Sequence, residues 1–142
     1  MRELKFRAFY PTDKQMIDWN TLHQSAWNTF RGDTPLSLIY EILVTRRNEF
    51  EVMQFTGLKD KNGKEVYDGD ILKSLHFIEA NKKKHYLYHK VGWCERLTGW
   101  QAVSAKQDGT EPNGNPQLWV YFKNTEFVVY GNIHENPELL SA

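Results

Sequence analysis

The chain of 142 residues has a single cysteine, Cys94. An internal disulfide and a thiolate zinc cluster are thereby excluded, since each needs more than one thiol. It has no charge excess: Lys and Arg number 18, Asp and Glu 18, and the formal net charge is zero. A neutral chain lacks the global positive field on which non-specific nucleic-acid binders draw, while a local basic patch stays open. It also lacks repulsion between copies, which weakly favours a homo-oligomer. No run approaches the roughly 20 apolar residues of a helical membrane span. The first ten residues, MRELKFRAFY, hold no apolar stretch of the secretory kind. A soluble, cytoplasmic protein with no membrane partner is expected.

The motifs of several chemistries are missing too. The sequence contains no G-x-S-x-G, no G-x-x-x-x-G-K-[ST] and no G-x-G-x-x-G, the signatures of a nucleophile elbow, a phosphate loop and a dinucleotide fold. Carboxylate pairs such as Asp68 and Asp70 exist, but nothing sets them across a cleft as glycoside hydrolysis requires. The stretch from Asp60 resembles a calcium loop and fails on spacing. Position 4 is Gly63, position 5 is Lys64 and position 12 is Ile71, where a calcium loop needs oxygens at 1, 3 and 5, Gly at 6 and Glu at 12. No catalytic residue, metal ligand or cofactor site is assigned, and an enzyme is not expected.

What the chain does have is aromatic residues: five Trp, seven Tyr and eight Phe. These bury enough apolar area to fold one domain, or one domain with a small subdomain, without staples. Leu4, Phe6 and Ala8 alternate with Lys5 and Arg7, the period of a half-buried strand. Pro11 to Lys14 supplies turn chemistry, and Gln15 to Trp19 reads as a returning strand, giving a hairpin over 3–20. Residues 20–33 read mostly as loop. Thr34 has the character of an N-cap and Pro35 suits a first helical position. Leu36, Ile39, Tyr40 and Leu43 then form an apolar stripe, so a helix is predicted over 35–47, with a strand at 39–45 as the rival.

Phe50 to Thr56 is a predicted strand that Gly57 ends. Lys61-Asn62-Gly63-Lys64 is a tight-turn signal, and Asp68-Gly69-Asp70 a second. From Ile71 onward the pattern is β throughout, with strands predicted at 71–77, 85–93, 98–103, 117–122 and 126–130. Residues 131–137 are turn-rich and are expected to close over the barrel. Short strands at close spacing with polar turns indicate a small barrel or sandwich. Residues 1–50 are expected to form a hairpin and helix region packing on a barrel of residues 51–142.

One cluster suggests a binding surface: Lys82, Lys83 and Lys84, followed by Tyr86, Tyr88 and Trp93, with Trp100 nearby. Cations beside stackable rings are what a single-stranded nucleic-acid groove needs. The plainer alternative is a solvated hairpin tip leading into a core strand. Tyr86 and Tyr88 share one strand face, and Leu87 and His89 the other, so one pair points outward. His85 and His89 lie roughly 13 Å apart if the segment is a strand, too far to share an ion. Cys94, following Trp93, reads as a small buried hydrophobe rather than a nucleophile.

Three blocks carry a family likeness. The first is Lys5-Phe6-Arg7-Ala8. The second runs from Met53-Gln54-Phe55-Thr56-Gly57-Leu58 through Lys59-Asp60-Lys61-Asn62-Gly63-Lys64-Glu65 to Tyr67 and Gly69-Asp70-Ile71. The third is Val129-Tyr130-Gly131-Asn132-Ile133-His134-Glu135-Asn136-Pro137-Glu138-Leu139-Leu140. On these the chain resembles the YopX family of phage and prophage proteins from end to end, with a variable middle. The resemblance implies an SH3-like barrel in the C-terminal part and a bacterial host cell as setting. It implies no catalytic residue and no cofactor. The segment 20–47 is longer than in shorter members of that family. The reading reached is a mainly β, non-enzymatic accessory protein that binds a host or phage protein, with Trp93, Trp100 or Trp119 as aromatic anchors. Nucleic-acid binding by the Lys82–Lys84 cluster is the alternative.

Overall fold

The computed structural model describes residues 3–22, 42, 46–104 and 126–140. Within these the chain is mainly β, in antiparallel sheets. It divides into two compact units, Met1–Phe55 and Thr56–Ala142.

In the first unit, β1 (Phe6–Tyr10) pairs antiparallel with β2 (Gln15–Ile17) and, on its other side, with β3 (Glu51–Lys59). The hairpin expected over 3–20 is present, but its return strand ends at Ile17. Asp18 then caps a helical turn over residues 19–22: its carboxylate accepts from the Thr21 amide at 2.8 Å, and its carbonyl from Leu22 at 3.1 Å. An aspartate beside orphan helix amides is a standard start signal, and it overrides the loop reading at residues 20–22. Ala8, Leu22, Ile42 and Phe50 form the buried cluster of this unit, with Phe6, Ile17, Trp19 and Val52 against it. Tyr10 stacks on Phe50 at 4.9 Å, and the Arg46 guanidinium lies over both rings. The helix predicted over 35–47 lies outside the described residues except at Ile42, Arg46 and Arg47, and Arg47–Glu49 is a 3-10 turn. The loop predicted at 23–33 and the strand at 117–122 also lie outside them.

In the second unit, β3 does not stop at Gly57. It runs on to Lys59 because Gly57 adopts φ +89, a left-handed conformation that glycine holds without a Cβ penalty. The buried Thr56 hydroxyl donates to the Val66 carbonyl at 2.8 Å and accepts from the Leu58 amide at 3.2 Å, bridging that kink. The Asn62-Gly63 turn is present as predicted, with Gly63 at φ +83, and it leads into β4 (Glu65–Tyr67), a short strand that the sequence reading did not predict. Asp60 is the clasp of this turn. Its carboxylate accepts from Asn62 N, Lys64 N and Val129 N, all within 2.9 Å.

The second sheet has the order β7-β6-β5-β8, all antiparallel: β5 is Asp70–Ile78, β6 Lys84–Cys94, β7 Gly99–Ser104 and β8 Val128–Asn132. The predicted strands match β5, β6 and β7 closely, while β8 starts two residues later than expected and takes in Gly131 and Asn132. Val66, Leu72, Val91, Ala102 and Phe127 form the buried core, with Leu58, Trp100 and Val129 against it. Cys94 is buried. The chain enters β5 through Gly69 at φ +78, whose amide donates to the Val91 carbonyl and whose carbonyl accepts from Ile133. The segment after β8 is a turn anchored by Asn132, whose side-chain oxygen accepts from the amides of His134 and Glu135. Pro137–Leu140 is a 3-10 turn. Gly131, in β8, leaves room for the Asn136 side chain, which a Cβ at that position would force to shift.

Candidate binding surface

Alternation along β6 separates two faces. His89 and Val91 are buried on the core side, with Leu72 and Ala102. Tyr86, Tyr88 and Lys90 therefore take the opposite face, which resolves the choice left open by the sequence. In the cross-strand register, Leu75 lies opposite Tyr86, Lys73 opposite Tyr88 and Ile71 opposite Lys90. β5 is fully buried where it starts, at Ile71 and Leu72. The exposed part of the face begins at Lys73 and runs toward the β5–β6 turn.

At its centre is a lysine among three tyrosine rings. The Lys73 ammonium lies 4.0 Å from the ring centroid of Tyr86, 4.5 Å from that of Tyr130 and 5.9 Å from that of Tyr88. Tyr88 and Tyr130 meet edge to face at 5.5 Å. Cations are drawn to ring faces by the quadrupole, so the ammonium and the rings hold one another in place. Tyr130 reaches the group from β8 through a register shift. Leu72 pairs with Val129 and Ile71 with Gly131, leaving Tyr130 with no opposite partner on β5. Bulges of this kind re-aim a side chain. Tyr86 is 38% exposed and Tyr130 50%.

The sign of charge on this face is uniform. In the register, the side chains sharing it are Ile71, Lys73, Leu75 and, past a register shift, Ile78 on β5, Lys84, Tyr86, Tyr88 and Lys90 on β6, Gln101 and Val103 on β7, and Val128 and Tyr130 on β8. None is a carboxylate. Among the described residues, β8 pairs with β5 only as far as Lys73, and β7 with β6 only as far as His89. Among the described residues, the rest of β5 and β6 is a two-stranded ribbon carrying exposed Leu75, Ile78 and Leu87.

The residues singled out in the sequence fall into three groups. Tyr86, Tyr88 and Lys84 lie on the face just described. Lys82 and Lys83 are exposed in the turn beyond it, which closes through Glu79 N to Lys83 O and Lys82 N to Glu79 O. His85, two residues after Lys83, pairs with Glu79 at 2.5 Å. Trp93 and Trp100 stand opposite each other on β6 and β7, on the core side, and meet edge to face at 5.3 Å. Trp100 packs against the core, while Trp93 is 47% exposed. The sequence reading missed Lys90, which shares the face of Tyr86 and Tyr88 by simple alternation, and it missed Lys73 and Tyr130. Lys73 and Tyr130 each sit in a strand pattern that shows nothing unusual alone, and only the β5 register with two other strands brings them together.

Fold and face together define an antiparallel β protein with an exposed lysine-centred tyrosine cluster. The chain belongs to the YopX family: the model of that family, described as YopX protein, matches residues 5–141. Among solved structures, the chain is similar to protein EF1440 from Enterococcus faecalis. The two are 22% identical, the match covers 99% of this chain and 100% of that chain, and the TM-score is 0.56. That likeness supports the fold. A comparison with curated proteins gives no match.

Proposed function

We propose that this chain is a non-enzymatic binding module of phages and prophages, acting in the cytoplasm of the host cell, and that it docks its partner on the tyrosine–lysine face. The observation that carries this reading is the exposure of Tyr86 and Tyr130 around Lys73. Rings held rigid by a neighbour lose little entropy on binding and offer large contact areas, which is why tyrosines anchor interfaces. The strand order β7-β6-β5-β8, with the β3–β4 hairpin contributing Leu58 and Val66 to the same core, supports an SH3-like barrel as the fold of this part. Of the tryptophan anchors expected from sequence, Trp100 is drawn into the core, Trp93 is presented to solvent, and Trp119 lies outside the described residues.

The test is a paired capture from host cells with the tagged chain and its Tyr86→Ala/Tyr130→Ala variant, reading both protein and nucleic acid. The partner should be depleted about ten-fold or more in the variant, as loss of interface anchors entails, with thermal stability unchanged. Equal recovery by both chains would show that the partner docks elsewhere.

A further inference from the structure

We infer that the partner on this face is a single-stranded nucleic acid, with bases stacked on Tyr86 and Tyr130 and phosphates met by Lys73, Lys84 and Lys90. This rests on the reading of the face as the docking surface. Charge complementarity selects the occupant. Among the described residues the face carries three lysines and no carboxylate, although the whole chain is neutral. Segregation of one sign onto one sheet face creates a local attraction for a polyanion.

The rings narrow the choice further. A purely acidic peptide without aromatic residues would engage the lysines but offers the three tyrosines no planar group to stack on. A duplex offers phosphates, but its bases are stacked on each other and cannot reach a ring on an open sheet. Only an unpaired strand brings both a negative backbone and free base faces, and stacking of this kind tolerates any sequence. Lys73 is placed to serve both elements at once. Its ammonium lies among the rings, so a base stacked on Tyr86 or Tyr130 brings its phosphate beside that charge.

The experiment is fluorescence anisotropy of the full chain with labelled oligothymidylate of about 20 nucleotides, a length that exceeds a single-fold site. Duplex DNA of the same length and a polyglutamate peptide are the comparisons. Saturable binding to the single strand is expected, weaker binding to the duplex, and none to the peptide. The logarithm of affinity should fall with the logarithm of salt with a slope of about −2, as three phosphate contacts require. Tyr86→Ala and Tyr130→Ala should each weaken binding about ten-fold, while Tyr86→Phe, which keeps the ring, should not. Should an alanine variant unfold, the Lys84→Gln/Lys90→Gln double variant still decides, since it should flatten the salt slope by about 1 to 1.5.

No binding at low salt, equal binding of duplex, or binding unchanged in the tyrosine and lysine variants would overturn the inference. Tighter binding of polyglutamate would overturn it in favour of an acidic protein. A chain that ignores oligonucleotides, but whose Tyr86→Ala/Tyr130→Ala variant still loses a captured protein, would overturn this inference and leave the docking face standing.

Discussion

His89 lies on the core side of β6, edge-on to the Phe127 ring at 5.7 Å. Burial holds its imidazole below the ordinary value of 6.5, so the fold keeps it neutral. The unfolded chain has no such constraint. As pH falls through 6.5 the unfolded state takes up a proton that the folded state refuses, and stability declines until the lowered folded value is reached. His89→Leu removes this linkage while keeping an apolar group of similar size. Denaturant unfolding at about pH 7 and about pH 5 should show a smaller loss of stability on acidification for the variant than for the parent chain. An equal loss in both would assign the acid sensitivity to other groups. Asp60 works in the opposite sense to a buried histidine, because its charged form is the one the fold needs. Burial pushes its carboxyl up, yet the amides of Val129, Lys64 and Asn62 together outweigh that and hold it below 3.8. Three donors on one carboxylate make this residue the link between the β3–β4 turn and β8.

The turns are where sequence and structure agree most closely, and the reason is local. Asn62-Gly63 and Asp68-Gly69-Asp70 demand left-handed backbone that few residues accept, so the chain advertises them. At Gly69 the constraint is doubled: φ is +78, and a Cβ would stand 3.2 Å from Ile133 Cγ1. Gly69→Val should cost roughly 1–3 kcal/mol, seen as a lower thermal midpoint. An unchanged midpoint would mean that the entry to β5 can relax. β5, β6 and β7 were legible for a similar reason, since alternation and β-branched or aromatic residues are properties of the segment itself. Gly57 misled because a glycine that ends a strand and one that kinks a continuing strand look alike in sequence. The difference lies in Thr56, whose hydroxyl reaches Val66 ten residues on. The helix cap at Asp18 carried a readable signal, an aspartate three residues before the amide it accepts from, and the alternating pattern of the preceding strand obscured it.

For the whole molecule, a net charge of zero concealed how the charges are sorted. Composition argued against a polyanion partner, but the register places Lys73, Lys84 and Lys90 on one face with no carboxylate among them. Half of the candidate site was visible beforehand. Tyr86 and Tyr88 share a face by simple alternation, and the basic segment at Lys82–Lys84 lies beside them. Lys73 and Tyr130 were not visible, because their membership depends on pairing between strands far apart in the chain and on a shift at Tyr130 that no local pattern encodes. Trp100 was chosen for its side chain type; the register sets it on the core side, and there it packs against the core while Trp93 opposite it stays exposed.

The most direct test of the docking face is to watch the backbone amides by heteronuclear NMR while single-stranded oligothymidylate is added to the full chain. Shifts concentrated at Lys73, Lys84, Tyr86, Tyr88, Lys90 and Tyr130, saturating together and collapsing with salt, are the expected result. Shifts confined to β1 and β2, or scattered without saturation, would contradict it.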